Sequence, residues 1–181
     1  MRKPILATLA AGLFATAAYA MNPMVGGAEM YPEKNIVENA MNSKDHTTLV
    51  AAVKAAGLVE TLQGKGPFTV FAPVNAAFDA LPAGTVDSLL KPVNKEKLAT
   101  ILACHVVPAA AFAADVQKMV ADDGGMHKVK TVGGCELTAS VKDGKVMISD
   151  ENGTAATVTI ADVKQSNGVI HVIDKVLLPK S

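Results

Sequence analysis

Residues 135 to 141, CELTASV, alternate strictly: Cys135, Leu137, Ala139 and Val141 fall on one side, and Glu136, Thr138 and Ser140 fall on the other. A period of two belongs to an extended strand with one dry face and one wet face, so this stretch commits the chain to a half-buried sheet. Asp143-Gly144 follows immediately, and KVMIS (145–149) returns on the far side. Asp-Gly between alternating runs is a strong hairpin signal, because both central residues of the tight turn need positive φ. TVTIADV (157–163) and GVIHVID (168–174) read as two more strands, separated by the turn Ser166-Asn167-Gly168.

The first half follows a different rhythm. Asp45 is placed to cap a helix over TTLVAAVKAA, whose Leu49, Val53 and Ala56 share a face, and Gly57 stops it. A shorter helical stretch covers Leu58 to Leu62. Phe68 to Ala72 is a continuous β-prone run that suits a strand buried on both faces, ended by Pro73. Asn75 is expected to cap a helix over Ala76 to Leu81. Thr85 and Asn94 are placed to cap helices near Val86–Leu90 and Lys95–Ala103. Helices mostly precede strands, which predicts an α+β fold with a largely antiparallel sheet.

The opening residues look like an export signal. Arg2 and Lys3 precede an uncharged Ala/Leu-rich run from Ile5 to Ala18, and Ala18-Tyr19-Ala20 offers the small-x-small pattern for cleavage after Ala20. The expected organisation is a signal peptide over 1–20, a flexible arm over 21–33 and one domain over 34–180. Export to the periplasm, the cell surface or the extracellular space follows. The apolar run is short for a membrane span, and no later segment is apolar enough to cross a bilayer. With 17 basic and 17 acidic residues and no lysine run, the chain lacks the electrostatic footprint of a nucleic-acid binder. With no Trp and only 4% aromatic residues, readings that need aromatic stacking platforms are weakened.

Three stretches, met in order, together resemble the fasciclin (fasciclin I) family. FTVFAPVNAAFDALP (68–82) is similar to its first signature. ILACHVVP (101–108) stands where the family carries a Tyr-His pair, with Cys104 in place of Tyr. SNGVIHVIDKVLLP (166–179) is similar to its closing signature. The resemblance covers about residues 34 to 180 and implies a wedge of strands with several short helices packed against it. It also implies a role in cell adhesion or in contact with a protein or surface macromolecule, as a monomer, without catalysis and without a cofactor. Phe71, Pro73, Asn75, Phe78, Gly168 and His171 are then fold-specifying positions. By analogy, His105, Val106, Val107 and Pro108 are the first candidates for a contact surface.

Cys104 and His105 are the chain's most reactive pair in name only. Adjacent residues point about 100° apart on a helix and to opposite faces on a strand, so they do not readily share a proton or a metal. His105 and His171 are expected to be hydrogen-bonded structural histidines. In an oxidising compartment the two cysteines either join as a Cys104–Cys135 disulfide or remain as buried thiols. A second functional reading is a periplasmic small-ligand or copper-binding protein, drawn from Met21, Met24 and Met30, since thioethers suit Cu(I). Asp150, Glu151 and Asn152 before Gly153 look like the start of a calcium loop but lack its closing Glu, which favours a polar turn.

Overall fold

The structure is a computed structural model that describes residues 22–180; the expected signal peptide lies outside the described residues. The strands are β1 (Met24–Val25), β2 (Ala28–Glu29), β3 (Phe68–Pro73), β4 (Val106–Val107), β5 (Met126–Lys130), β6 (Glu136–Lys142), β7 (Lys145–Ser149), β8 (Ala155–Gln165) and β9 (Gly168–Ile173). The helices are α1 (Ile36–Ala40), α2 (Thr47–Ala56), α3 (Val59–Leu62), α4 (Asn75–Asp79), α5 (Thr85–Leu89), α6 (Lys95–Ala103) and α7 (Ala113–Asp122).

Among the described residues, seven strands form one sheet in the order β4-β3-β9-β8-β7-β6-β5. Every neighbouring pair is antiparallel except β3 with β9, which run parallel from Phe68↔Gly168 to Pro73↔Ile173. The fold is therefore α+β with a largely antiparallel sheet.

β3 and β9 divide two apolar cores. Val70, Ala72, Ile170 and Val172 face a cluster built with α1, α2, α4 and α6, including Leu49, Val53, Phe78, Leu98 and Leu102. Phe71 and Ile173 face the other cluster, with Leu137, Ala139, Ile148 and Val158 of the hairpins and Val116 and Val120 of α7. Burial on both faces is why these two strands read as near-continuous apolar runs, whereas β6 alternates.

The hairpin turn between β6 and β7 follows from Asp143 and Gly144, both at positive φ (52° and 75°), as the strand twist demands. At Gly168 the constraint is different. Its backbone lies against β3 so closely that a Cβ there would sit 2.0 Å from the Phe68 carbonyl oxygen.

Several expectations need correction. Residues 22–33 are no loose arm: β1 and β2 pair across Gly26-Gly27, and Val25 and Met30 are buried in the helical core. The mixed composition hid two well-spaced apolar anchors. α7 leaves little trace in the sequence because its buried stripe has only Val116 and Val120, and its cap comes from elsewhere: Asp162 Oδ1, on an irregular stretch of β8, accepts the Ala113 N–H at 2.7 Å. α1 is closed by a capping box, with Asn35 Oδ1 accepting the Glu38 N–H and the Glu38 carboxylate accepting the Asn35 N–H.

Gly168→Ala is expected to lower stability by about 2–4 kcal/mol, because backbone must move to admit the methyl. Gly144→Ala, which meets nothing within 4 Å, should cost only about 1 kcal/mol through its positive φ. Urea titration of both variants tests the contrast, and equal losses would contradict it.

Candidate functional site: the Cys104–His105 corner

α6 ends at Cys104, whose N–H bonds the Thr100 and Ile101 carbonyls, and the chain turns into β4. Cys104 and Cys135 are joined by a disulfide with their Cα atoms 5.4 Å apart. Around it, the loop between β5 and β6 docks by its backbone: Val132 N–H donates to Val106 O at 2.8 Å, and Gly133 N–H donates to Ala103 O at 3.1 Å. The Thr131 hydroxyl donates to Cys135 O and accepts from the Cys135 N–H, both at 3.1 Å. The disulfide thus ties the end of a core helix to the start of β6, at the corner where the two ends of the curled sheet meet.

His105 is 2% exposed. Its Nδ1–H donates to the Ile101 carbonyl at 2.8 Å, which sets the tautomer and leaves Nε2 to accept the Leu177 N–H at 2.9 Å. His171 uses the opposite tautomer. Nε2–H donates to Ala111 O at 2.8 Å, Nδ1 accepts the Asp162 N–H at 3.2 Å, and the ring stacks on Phe71. His46 Nε2–H donates to Ala72 O at 3.3 Å, and its Nδ1 accepts the Ser43 hydroxyl at 2.8 Å. Each ring bridges segments distant in sequence, and each has both nitrogens occupied. Burial lowers all three pKa values from 6.5, and His105 is pushed down to about 4.

The buried amides and carboxylate have similar duties. Asn167 Nδ2 donates to Leu62 O and Gly64 O while its Oδ1 accepts the Ile36 N–H. Asn39 Nδ2 donates to Tyr31 O and to Gln165 Oε1. Asp150 accepts the N–H groups of Asn152, Thr154 and Leu178, so the calcium-like stretch is a backbone-satisfied turn that also holds the C-terminal segment. Asn75 corrects its expectation. It is the first residue of α4 and leaves that helix uncapped; its Oδ1 accepts the Thr48 N–H at 3.0 Å, and its Nδ2 donates to Lys44 O at 2.8 Å. It caps α2, a helix 27 residues back in the chain. Asn94 likewise turns away from α6 and donates to Ser88 O.

Of the contact candidates, His105, Val106 and Val107 are buried, and only Pro108 reaches solvent with Ala109 and Ala110. Contact through His105 is corrected accordingly: its nitrogens are consumed inside the fold, and a partner on the closed domain would meet Pro108. An apolar cavity of about 40 Å³ lies beside His105, walled by Val37, Leu49, Val53, Leu62 and Leu102. It offers no convergent unsatisfied polar group, since no buried side-chain nitrogen or oxygen among the described residues lacks a hydrogen bond. Met30 is buried in the helical core and Met24 is 56% exposed; Met21 lies outside the described residues.

Two predictions concern this corner. The unfolded chain protonates His105 near pH 6.5 and the folded chain only near pH 4. Stability is therefore full above about pH 6.5 and falls as the pH drops towards 4, because the unfolded state takes up a proton that the folded state refuses. His105 alone should cost about 2 kcal/mol between pH 7 and pH 5, with His46 and His171 adding in the same direction. Urea midpoints across that range measure it, and a flat profile would contradict it. The bond closes a separation of 31 residues, so a Cys104→Ser/Cys135→Ser double variant should lose about 3–4 kcal/mol on the chain-entropy model. Reductant should produce the same loss in the parent chain and none in the variant.

The fasciclin domain model matches residues 44–179. Protein sll1483 of Synechocystis sp. is 56% identical over 144 residues, covering 80% of this chain and 73% of that protein. The cell surface glycolipoprotein MPB83 of Mycobacterium bovis BCG is 31% identical over 163 residues, covering 90% of this chain and 63% of its own length. The solved FAS1 domain pair of the insect cell adhesion molecule fasciclin I superposes with a TM-score of 0.72 at 18% identity, over 80% of this chain and 51% of that one, which is a likeness of fold. On the strength of the domain match and the cyanobacterial relative, this chain belongs to the fasciclin domain family.

Proposed function

We propose that this chain is exported, loses residues 1–20, and serves outside the cytoplasm as a non-catalytic contact domain that binds a protein or surface macromolecule. One observation carries the reading. The groups best equipped for chemistry are spent on architecture: Cys104 on a disulfide, and His46, His105 and His171 on bonds that use both ring nitrogens. With both cysteines and three of its four histidines committed inside, and His127 paired to Asp123 at the surface, such a domain acts through its exterior, and binding residues tend to sit on loops and edges held by a rigid frame. A cell surface glycolipoprotein among its relatives and a cell adhesion molecule of like fold fit that role.

The test has two arms. Mass spectrometry of the protein recovered from the envelope and medium of its host should give a chain beginning at Met21; a chain retaining residues 1–20 in the cytoplasm would overturn export. The folded protein should retain a partner from the same envelope that binds saturably when purified, and unfolding it with urea and reductant should abolish retention. Turnover of any envelope component by the purified domain would overturn the non-catalytic reading.

A further inference from the structure

β5 closes the sheet at one end, and no described strand pairs with its outer side. Its pairing with β6 ends where Thr131 N–H donates to Cys135 O at 2.9 Å. Hydrogen-bonded and non-bonded positions alternate along an antiparallel ladder, so His127, Val129 and Thr131 bond towards β6. The peptide groups of Met126, Lys128 and Lys130 are then turned to the open side. The side chains of these same three residues are exposed, Met126 at 66%, and exposed Val132 follows just past the strand. An unused row of backbone donors and acceptors at Met126, Lys128 and Lys130 thus carries one apolar and two basic side chains, and it stops before Val132, whose N–H is taken by Val106 O.

The charges decide what can pair there. Lys128 bonds Glu136 at 2.7 Å, and Lys130 forms no ion pair among the described residues. Near the Met126 end, Asp123 is paired to His127 at 2.6 Å and Asp122 to Lys118 at 2.8 Å, so those carboxylates already have basic partners. A second copy laid antiparallel on this edge would set lysine against lysine, and lysines on an edge are a familiar guard against such pairing. A strand carrying carboxylates opposite Lys128 and Lys130 meets the reverse situation.

We propose that the β5 edge takes up an extended acidic segment of a partner protein as an added strand. Backbone bonds from Met126, Lys128 and Lys130 hold it, the two lysines select central Asp or Glu residues, and Met126 receives an apolar side chain at one end. The inference rests on the contact role proposed above and places it at one edge.

The probe is a short synthetic peptide of alternating Val and Thr with a central Glu-Thr-Glu, which puts Val and both Glu on one face, titrated into the full domain and followed by amide NMR. The expected result is binding that slows exchange of the Met126, Lys128 and Lys130 amides, weakened about tenfold or more by Lys128→Glu/Lys130→Glu. Lys128→Pro should abolish it, since it removes an outward N–H without breaking the ladder to β6. If that variant misfolds by circular dichroism, the parent domain with a backbone N-methylated peptide gives the same answer, and N-methylation should eliminate binding. Binding that survives N-methylation or leaves those amides unprotected would overturn the proposal, as would preference for a lysine-substituted peptide, for an anionic polysaccharide or for a second copy of the chain. Should Lys128→Pro still capture the envelope partner, the edge assignment fails while the contact role stands.

Discussion

The parallel pairing of β3 with β9 is the constraint on which the rest depends. These strands are covered on both sides, so every element must pack either with the helical core or with the hairpin core. Two adjacent strands of this kind carry many peptide groups away from water, and the flanking segments must close their own polar accounts locally. That is why side chains such as Thr69, His105, Asn167 and His171 appear inside. Thr69, for example, donates to Ala109 O and accepts the Ala111 N–H, fixing the connection that leads into α7.

The buried polar groups share one logic. Four of them reach a backbone group far away in sequence: His105 reaches Leu177, His171 reaches Ala111, Asn167 reaches Ile36 and Asp150 reaches Leu178. A low-dielectric interior makes such bonds strong when complete and costly when broken, so they specify one arrangement of connections that apolar packing alone would leave loosely defined. The same commitment removes these groups from chemistry. An imidazole with both nitrogens occupied and its pKa near 4 is neither a base waiting for a substrate nor an open metal ligand.

Closure of the sheet is uneven. At one corner the Cys104–Cys135 bond and the Val132–Val106 hydrogen bond draw the two ends together. Beyond that corner β5 has an open outer side, and its exposed residues are Met126, Lys128 and Lys130. Rigidity and availability therefore sit side by side: the stapled corner holds the edge strand in place.

Local patterning and turn chemistry determined the strands from β6 to β9, the Asp143-Gly144 hairpin, α2 and α6, and with them the α+β class. Those features depend on local alternation, turn chemistry and helical spacing, which neighbouring residues encode by themselves. Only the tertiary structure decided that Asn75 caps α2 instead of its own helix, that Asp162 starts α7 from across the sheet, and that Val25 and Met30 anchor residues 22–33. It also buried His105 while leaving Pro108 outside. Each of these outcomes pairs groups separated by long stretches of chain, and a hydrogen-bond donor carries no mark of which distant acceptor it will meet until the cores have placed both.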